Sequence, residues 1–239
     1  PISGKIGGNI MSLITKSLER SCILINGILI IAVAMLFVSP APLHAQAAGK
    51  TPAAVQVYKS QINTVNQGLN GNAAKGTAEF RIAGDELLIT VNAEGLTPDM
   101  KHLIHLHGFV DGKKAACATP SADANKDGFV DVKESVAVTG PELIPLNDDP
   151  QDLEIKAASY PKATKQGTIQ YSKKVSLKKL MKNMQKKYKI STLNLENMAL
   201  NIHGVDKKAK LPASVQSVMK LPAYQTVPVA CGEIKKAQQ

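Results

Sequence analysis

The chain has 239 residues, of which 44% are hydrophobic, which is enough for one or two domains with a buried core. Its formal net charge is +10, but the excess is local, because eight lysines lie between residues 173 and 189. Aromatic residues make up only 4% of the chain and tryptophan is absent, so the stacking platform of single-strand nucleic-acid binders is missing. Nucleic acid is therefore excluded as the expected partner.

Residues 1–47 have the pattern of an export signal, with Met11 as the expected start of translation. Basic residues precede an apolar run at 22–38, and Ala45-Gln46-Ala47 follows as the small-x-small pattern that signal peptidase cleaves. An uncleaved membrane anchor is the alternative, but the spacing favours cleavage. The sequence therefore predicts a secreted or periplasmic protein.

Removal of the signal leaves two cysteines, Cys117 and Cys231. An even pair in an exported chain is typical of one disulfide, and two free thiols are the alternative. For a disulfide between these two cysteines, the loop-entropy model gives a stabilisation of about 4–5 kcal/mol.

Residues 48–75 carry little apolar periodicity and predict either a leader or a weak first strand. From Gly76 the hydrophobic period becomes two, which indicates strands with one buried face. A turn at 83–86 makes these strands a hairpin, with the following residues facing inward: Ala78, Phe80, Ile82, Leu87, Ile89, Val91 and Ala93.

The later segments predict further strands and one helix. Residues 136–150 contain three prolines and a glycine, so we expect a long loop with at most a short strand. Residues 167–175 and 195–205 have strand character. Residues 176–189 have helical spacing with lysines on one face, typical of a surface helix packed on the core or of weak contact with an anionic surface. An all-β sandwich or Greek-key barrel over 76–236 is the predicted fold.

Three histidines open the most informative stretch, His102, His105 and His107. On a strand His105 and His107 share a face, about 7 Å apart, close enough to converge on one metal ion, while His102 has the opposite parity. His203 ends a distant strand and could complete the set. The alternative is that each histidine is a hydrogen-bonded polar residue without a metal.

Residues 123–134 match the calcium-loop pattern D-x-[DN]-x-[DN]-G-x5-E without a gap. The pattern places oxygen donors around one ion, with Gly128 at the sharp turn. The expected calcium ligands are Asp123, Asn125, Asp127, Phe129 through its carbonyl, Asp131 and Glu134.

The loop does not predict a complete EF-hand, because Pro120 and Cys117 argue against an entering helix. We expect a single structural calcium site with a dissociation constant of about 10⁻⁵–10⁻³ M, as in extracellular modules. A solvated acidic turn is the alternative.

Taken in order, four motifs resemble the copper/zinc superoxide dismutase (SOD) family over roughly residues 76–234: H-x-x-H-x-H-G at 102–108, Cys117, I-H-G-V at 202–205 and V-A-C-G at 229–232. The resemblance implies a Greek-key β-barrel. It also implies copper ligands at His105, His107 and His203, a structural role for His102, and a disulfide between the two cysteines.

The departures from that family bear on activity. No histidine lies between Cys117 and Pro150, so the family's bridging histidine and zinc ligands are missing, and no zinc is expected. Pro228 stands where the family has an arginine that guides superoxide. The chain also resembles the small extracellular CHRD domains, which share the H-x-H-G strand and an ending similar to Gly232-Glu233-Ile234.

Three hypotheses follow from the sequence. The first is an exported protein that binds calcium and copper, with weak or no dismutase activity. The second is an active zinc-free copper SOD, and the third is a structural CHRD-like module that binds calcium alone. The motifs of other enzymes, such as G-x-S-x-G or a phosphate loop, are not found.

Overall fold

The computed structural model describes residues 54–67, 69 and 74–238, so the predicted signal at 1–47 lies outside the described residues. This part of the chain contains no helix long and apolar enough to cross a membrane. The strands are β1 (Gln56–Thr64), β2 (Lys75–Ala83), β3 (Glu86–Glu94), β4 (Leu103–His107), β5 (Glu142–Pro145), β6 (Ile169–Ser176), β7 (Ala199–His203) and β8 (Pro228–Lys236). The helices are α1 (Val132–Thr139), α2 (Leu177–Tyr188) and α3 (Ala223–Thr226).

The eight strands form one sheet in the order β5-β4-β7-β8-β1-β2-β3-β6. Every neighbouring pair is antiparallel, and β3 and β4 are consecutive in the chain but far apart in the sheet. The sheet is curled, because residues of its two edge strands, Ile144 of β5 and Ile169 of β6, are buried in the same hydrophobic core. The predicted all-β class is confirmed.

Strands β2 and β3 form the predicted hairpin. Ala78 pairs with Val91 and Phe80 with Ile89, and all four are buried in the core. Gly84 occupies the connecting turn with φ of +58°, a conformation that a side chain disfavours. The period-two pattern and the turn at 83–86 predicted this hairpin and its buried face.

Strand β1 lies within the segment that the sequence left as a leader or a weak first strand. It pairs with β2 on one side and with β8 on the other, so it belongs to the interior of the sheet. Its burial is weak outside Ser60 and Ile62, which explains the weak sequence signal.

Helix α2 confirms the predicted amphipathic helix, and its Leu180 and Met184 are fully buried in the core. The hydroxyl of Ser176 caps its first turn by accepting from the backbone N–H of Lys179. Ser176 Oγ also donates to Asp85 in the β2–β3 turn, so the helix is anchored to the hairpin.

Helix α1 was not predicted, since its residues 136–139 fall in the segment expected to be a loop. Its valines and threonine are poor helix formers, which explains the omission. The helix is nevertheless capped strongly, because Asp131 accepts from the backbone N–H groups of Lys133 and Glu134 while the Glu134 side chain accepts from the N–H of Asp131. The loop prediction for 136–139 was therefore wrong, whereas the short strand β5 that follows agrees with it.

Candidate metal centre

Neighbouring strands bring three histidines together. Residues His105 and His107 alternate along β4, and His203 ends β7, which pairs with β4. The ring centroids lie 5.4 Å apart for 105–203, 5.6 Å for 107–203 and 5.8 Å for 105–107. One coordinating nitrogen of each ring lies within 4.8 Å of those of the other two, and all three side chains are buried.

The outer nitrogens of two rings are fixed by backbone carbonyls. The Nδ1 atom of His107 lies 2.9 Å from the carbonyl oxygen of Gly140, and that of His203 lies 2.8 Å from the carbonyl oxygen of Thr226. Because a carbonyl oxygen can only accept, each Nδ1 carries the proton and each Nε2 presents a lone pair. Both Nε2 atoms are buried without a hydrogen-bond partner.

The third ring is held from the opposite nitrogen. The Nε2 atom of His105 lies 2.6 Å from the Tyr160 hydroxyl and 3.5 Å from a carboxylate oxygen of Glu142. With the proton on Nε2 facing these oxygens, Nδ1 presents its lone pair, and Nδ1 is the buried unpartnered atom of this ring. The three unpartnered nitrogens thus fit the donor set that a metal ion requires.

The electrostatics keep the imidazoles neutral. Burial, with smaller contributions from the neighbouring rings, lowers the pKa of His105 well below 6.5 and that of His107 to about 3. Burial likewise lowers the pKa of His203 to about 4, although its hydrogen bond to Thr226 opposes the change. Neutral imidazole is the form that binds metal ions.

Burial acts in the opposite direction on the two oxygen groups beside His105. It raises the pKa of Glu142 to about 7, with the positive charge of Lys187 opposing the change. It also raises the pKa of Tyr160, to which the Glu142 carboxylate adds repulsion. The hydroxyl of Tyr160 therefore stays protonated at neutral pH.

His102 lies outside the group of three and contacts the backbone. Its Nδ1 is 3.0 Å from the carbonyl oxygen of His203, and its Nε2 is 3.2 Å from that of Thr97. This side chain is fully buried and links the end of β7 to the turn before β4. Such contacts are those expected of a bracing residue.

The two cysteines form the predicted disulfide. Cys117, in the segment after β4, bonds Cys231 in β8, with the Cα atoms 5.6 Å apart. In the sheet Cys231 lies opposite Asn201 of β7, which in turn lies opposite His105. The disulfide therefore fastens the long segment 108–141 close to the strands that carry the histidines.

The acidic loop at 123–134 is closed by backbone hydrogen bonds to its own side chains. Asp123 accepts from the N–H groups of Asp127 and Gly128, and Glu134 accepts from those of Ala124 and Asn125. In the described part of the chain, the three histidines are the only group of three or more His, Cys, Asp or Glu side chains with coordinating atoms within 4.8 Å. Calcium binding by the loop stays a prediction.

Neighbouring segments hold the loop in place. Ser214 Oγ donates to Asp127 at 2.6 Å, and the N–H of Gln216 donates to Asp131 at 2.8 Å. Asn66, after β1, makes hydrogen bonds to both the N–H and the carbonyl of Val130. The loop is thus tied to the segment that joins β7 to β8.

Sequence reasoning missed the groups that orient the imidazoles. Glu142 is the one acidic residue of the apolar strand β5, and this was a usable signal. Tyr160 lies 55 positions from His105, in a segment without periodicity, so no local pattern could have indicated their contact. Gly140 and Thr226 act through backbone carbonyls, which residue type does not reveal.

No protein-family model matches the chain, and no curated protein matches it either. Among solved structures, an SOD-like protein from Bacillus subtilis is similar at 16% identity, covering 73% of this chain and 96% of that one, with a TM-score of 0.36. Its proline-to-histidine mutant gives 17% identity, 73% and 95% coverage and a TM-score of 0.38. A double mutant of that protein, with tyrosine and proline changed to histidine, is 18% identical. The match covers 73% of this chain and 95% of the mutant, with a TM-score of 0.36.

Proposed function

We propose that this protein is an exported metal-binding protein that holds copper at His105, His107 and His203 and has weak or no dismutase activity. The observation that carries the proposal is the set of three buried imidazole nitrogens that face one another without hydrogen-bond partners. Leaving such atoms buried and unpaired is costly, and an ion that accepts three lone pairs removes the cost.

Copper suits this donor set better than the other common ions. Imidazole is a ligand for Zn, Cu, Fe and Ni, and copper lies at the top of the affinity order for divalent first-row ions. Bound copper would supply one-electron redox chemistry. The chain itself fixes the proton on Nδ1 of His107 and His203 and holds Nε2 of His105 against the Tyr160 hydroxyl. Burial keeps the rings neutral and excludes water from the histidine side chains, which are at most 1% exposed.

The residue at the position of the family's anion guide supports the absence of efficient dismutation. Pro228, which occupies the position of the family's guiding arginine, is buried and carries no charge. An active zinc-free copper SOD is the second candidate, favoured by the ligand set itself.

We further propose that the loop at 123–134 binds one calcium ion in a structural role, through the six residues that the motif provides. The spacing of the motif and the capping of α1 by Asp131 and Glu134 support this. The disulfide supports export to an oxidising compartment. A CHRD relationship, the absence of zinc, and weak contact of the α2 lysines with an anionic surface stay predictions.

The copper assignment is tested with the exported protein by competition titration with a copper(I) chelator. We expect one copper per chain, and in His203→Leu an affinity at least about 100-fold lower, beyond the 10–100-fold typical of groups that only orient ligands. His102→Gln is the matched control, since it removes an imidazole outside the group of three. Equal copper binding by wild type and His203→Leu would reject the site.

A dismutase assay on the copper-loaded protein separates the first two candidates. Weak or absent activity is the expected result. Activity near the diffusion limit, about 10⁸–10⁹ M⁻¹s⁻¹, would establish the second candidate instead.

Calorimetric titration with calcium tests the loop. We expect Asp127→Ala to abolish a binding event with a dissociation constant of about 10⁻⁵–10⁻³ M. Asp127 also accepts a hydrogen bond from Ser214, so Ser214→Ala shows what that contact contributes by itself. Asp148→Asn, a change at an exposed acid outside the loop, should leave binding intact. Identical heats for Asp127→Ala and wild type would remove calcium from the proposal.

A further inference from the structure

One buried polar group beside the histidines has no role in the arrangement described above. Asn201, in the middle of β7, is 2% exposed, and its Nδ2 atom has no hydrogen-bond partner. A carboxamide nitrogen carries two donor protons, and burying them unpaired costs free energy on the order of 1–3 kcal/mol. Such a residue in the interior of a sheet points to a partner that accepts hydrogen bonds.

The strand register places Asn201 on the face of the sheet that carries the histidines. It lies directly opposite His105 of β4, and residues opposite each other on antiparallel strands project to the same face. His203 is two positions further along β7 and shares that face as well. Leu200 and Ile202, the neighbours of Asn201 along β7, belong to the main hydrophobic core, as the alternation requires.

The chemistry of this face is complementary. The three imidazoles contribute lone pairs and no free proton, whereas Asn201 contributes protons. A metal ion satisfies the lone pairs but not the carboxamide. A ligand bound to the metal that also accepts a hydrogen bond would satisfy both.

We propose that Asn201 completes a pocket for one small hydrogen-bond-accepting ligand, an anion or a water-derived oxygen, bound at the fourth position of the metal. This inference rests on the proposed copper site. The carboxamide donates through Nδ2 to the ligand, and the imidazoles hold the ion. Because the surroundings exclude solvent, the hydrogen bond is not in competition with water, and its removal should lower ligand affinity strongly.

The test uses azide as the probe and copper(II)-loaded exported protein. Copper content is measured first, and azide is then titrated while its charge-transfer absorption is recorded. We expect Asn201→Leu, which has a similar shape but no donor, to keep copper and to bind azide about 10–100-fold more weakly, the range for a lost hydrogen bond to a charged group.

Ser60→Ala is the matched control. Ser60 is also buried, its hydroxyl also lacks a partner, and it lies on β1 opposite Ile234 of the main core. This variant should bind azide as the wild type does. In the metal-free protein both substitutions should leave the urea midpoint unchanged or raise it, since each removes an unpaired buried polar group.

The outcomes separate the two proposals. If the wild type fails to bind copper at the histidines, the proposed function fails, and the Asn201 pocket with it. If copper binds but azide affinity is equal in wild type and Asn201→Leu, only the pocket is rejected. Tighter azide binding by Asn201→Leu would also reject it, because the carboxamide oxygen would then be a direct ligand that azide displaces.

Discussion

A histidine that ligates a metal almost always has its second nitrogen held, and in this protein the three are held in two ways. His107 and His203 donate to backbone carbonyls, whereas His105 faces the hydroxyl of Tyr160 and the carboxylate of Glu142. Side chains can be changed without altering the chain path. Tyr160 is therefore the residue at which the effect of orientation can be measured.

We predict that Tyr160→Phe lowers copper affinity about 10–100-fold, the usual effect of losing a group that orients a ligand. The free energy of unfolding of the metal-free protein should fall by about 1–3 kcal/mol, since the buried Nε2 of His105 loses its closest partner. Chelator competition and urea unfolding are the measurements.

Tyr171→Phe is the control for this substitution. Tyr171 is also buried, and its hydroxyl donates to the carbonyl oxygen of Asn147, away from the histidines. It should lose comparable stability but keep its copper affinity. If both variants bind copper as the wild type does, Tyr160 has no orienting role.

At the scale of the elements, α1 depends more on its cap than on its composition. Its buried side chains are those of Val132, Ser135 and Thr139, whereas Val136 and Val138 are exposed. Its β-branched residues have low helix propensity. Asp131 supplies what propensity does not: it caps the first turn and also accepts from the N–H of Gln216.

We predict that Asp131→Ala lowers the free energy of unfolding by about 1–3 kcal/mol in the absence of calcium, through the lost cap and the lost contact with Gln216. Hydrogen exchange should localise the loss to α1 and to residues 214–216. Ser176→Ala, which removes the cap of α2 and its contact with Asp85, should instead speed exchange in α2 and the β2–β3 turn. Unchanged exchange in α1 would contradict this account of the helix.

These elements also show how far sequence patterns reach. The β2–β3 hairpin and α2 were predictable, because the residues that their hydrophobic periodicity places on the inner face are buried in the structure. Phe80, Ile89 and Leu180 are examples. Helix α1 was missed because a capping box outweighed the propensity of its interior. Strand β1 was left open because it pairs through its backbone while burying few side chains.

For the site, the H-x-H spacing predicted that His105 and His107 share a face, and the resemblance to the SOD family implied that His203 joins them. The even cysteine count predicted the disulfide. What could not be predicted were the contacts that depend on tertiary register. Tyr160 reaches His105 across 55 positions, and Asn201 faces it only because of the pairing between β4 and β7. No periodic pattern in the sequence indicates either contact.

At the scale of the whole molecule, the buried titratable groups make stability depend on pH in two opposite directions. The folded pKa values of the three histidines lie below the value of about 6.5 expected in the unfolded chain. Their contribution is fully present above pH 6.5 and is lost as the pH falls toward about 4 for His203 and about 3 for His107. Glu142, with its pKa raised from 4.5 to about 7, contributes below pH 4.5 and loses this contribution as the pH rises through 7.

We therefore predict that the urea midpoint of the metal-free protein falls as the pH is lowered from 6.5 to 4.5, because several histidines oppose one glutamic acid in that window. Each histidine contributes a slope on the order of 1.4 kcal/mol per pH unit. Glu142→Gln should make the fall steeper, since it removes the only opposing group among the four. Copper should raise the midpoint at pH 7 and lose this effect toward pH 4.5, because protons compete with the metal for the imidazoles. A midpoint that stays level between pH 6.5 and 4.5 without copper would mean that the histidines are not held neutral, and the basis for their readiness to bind metal would be gone.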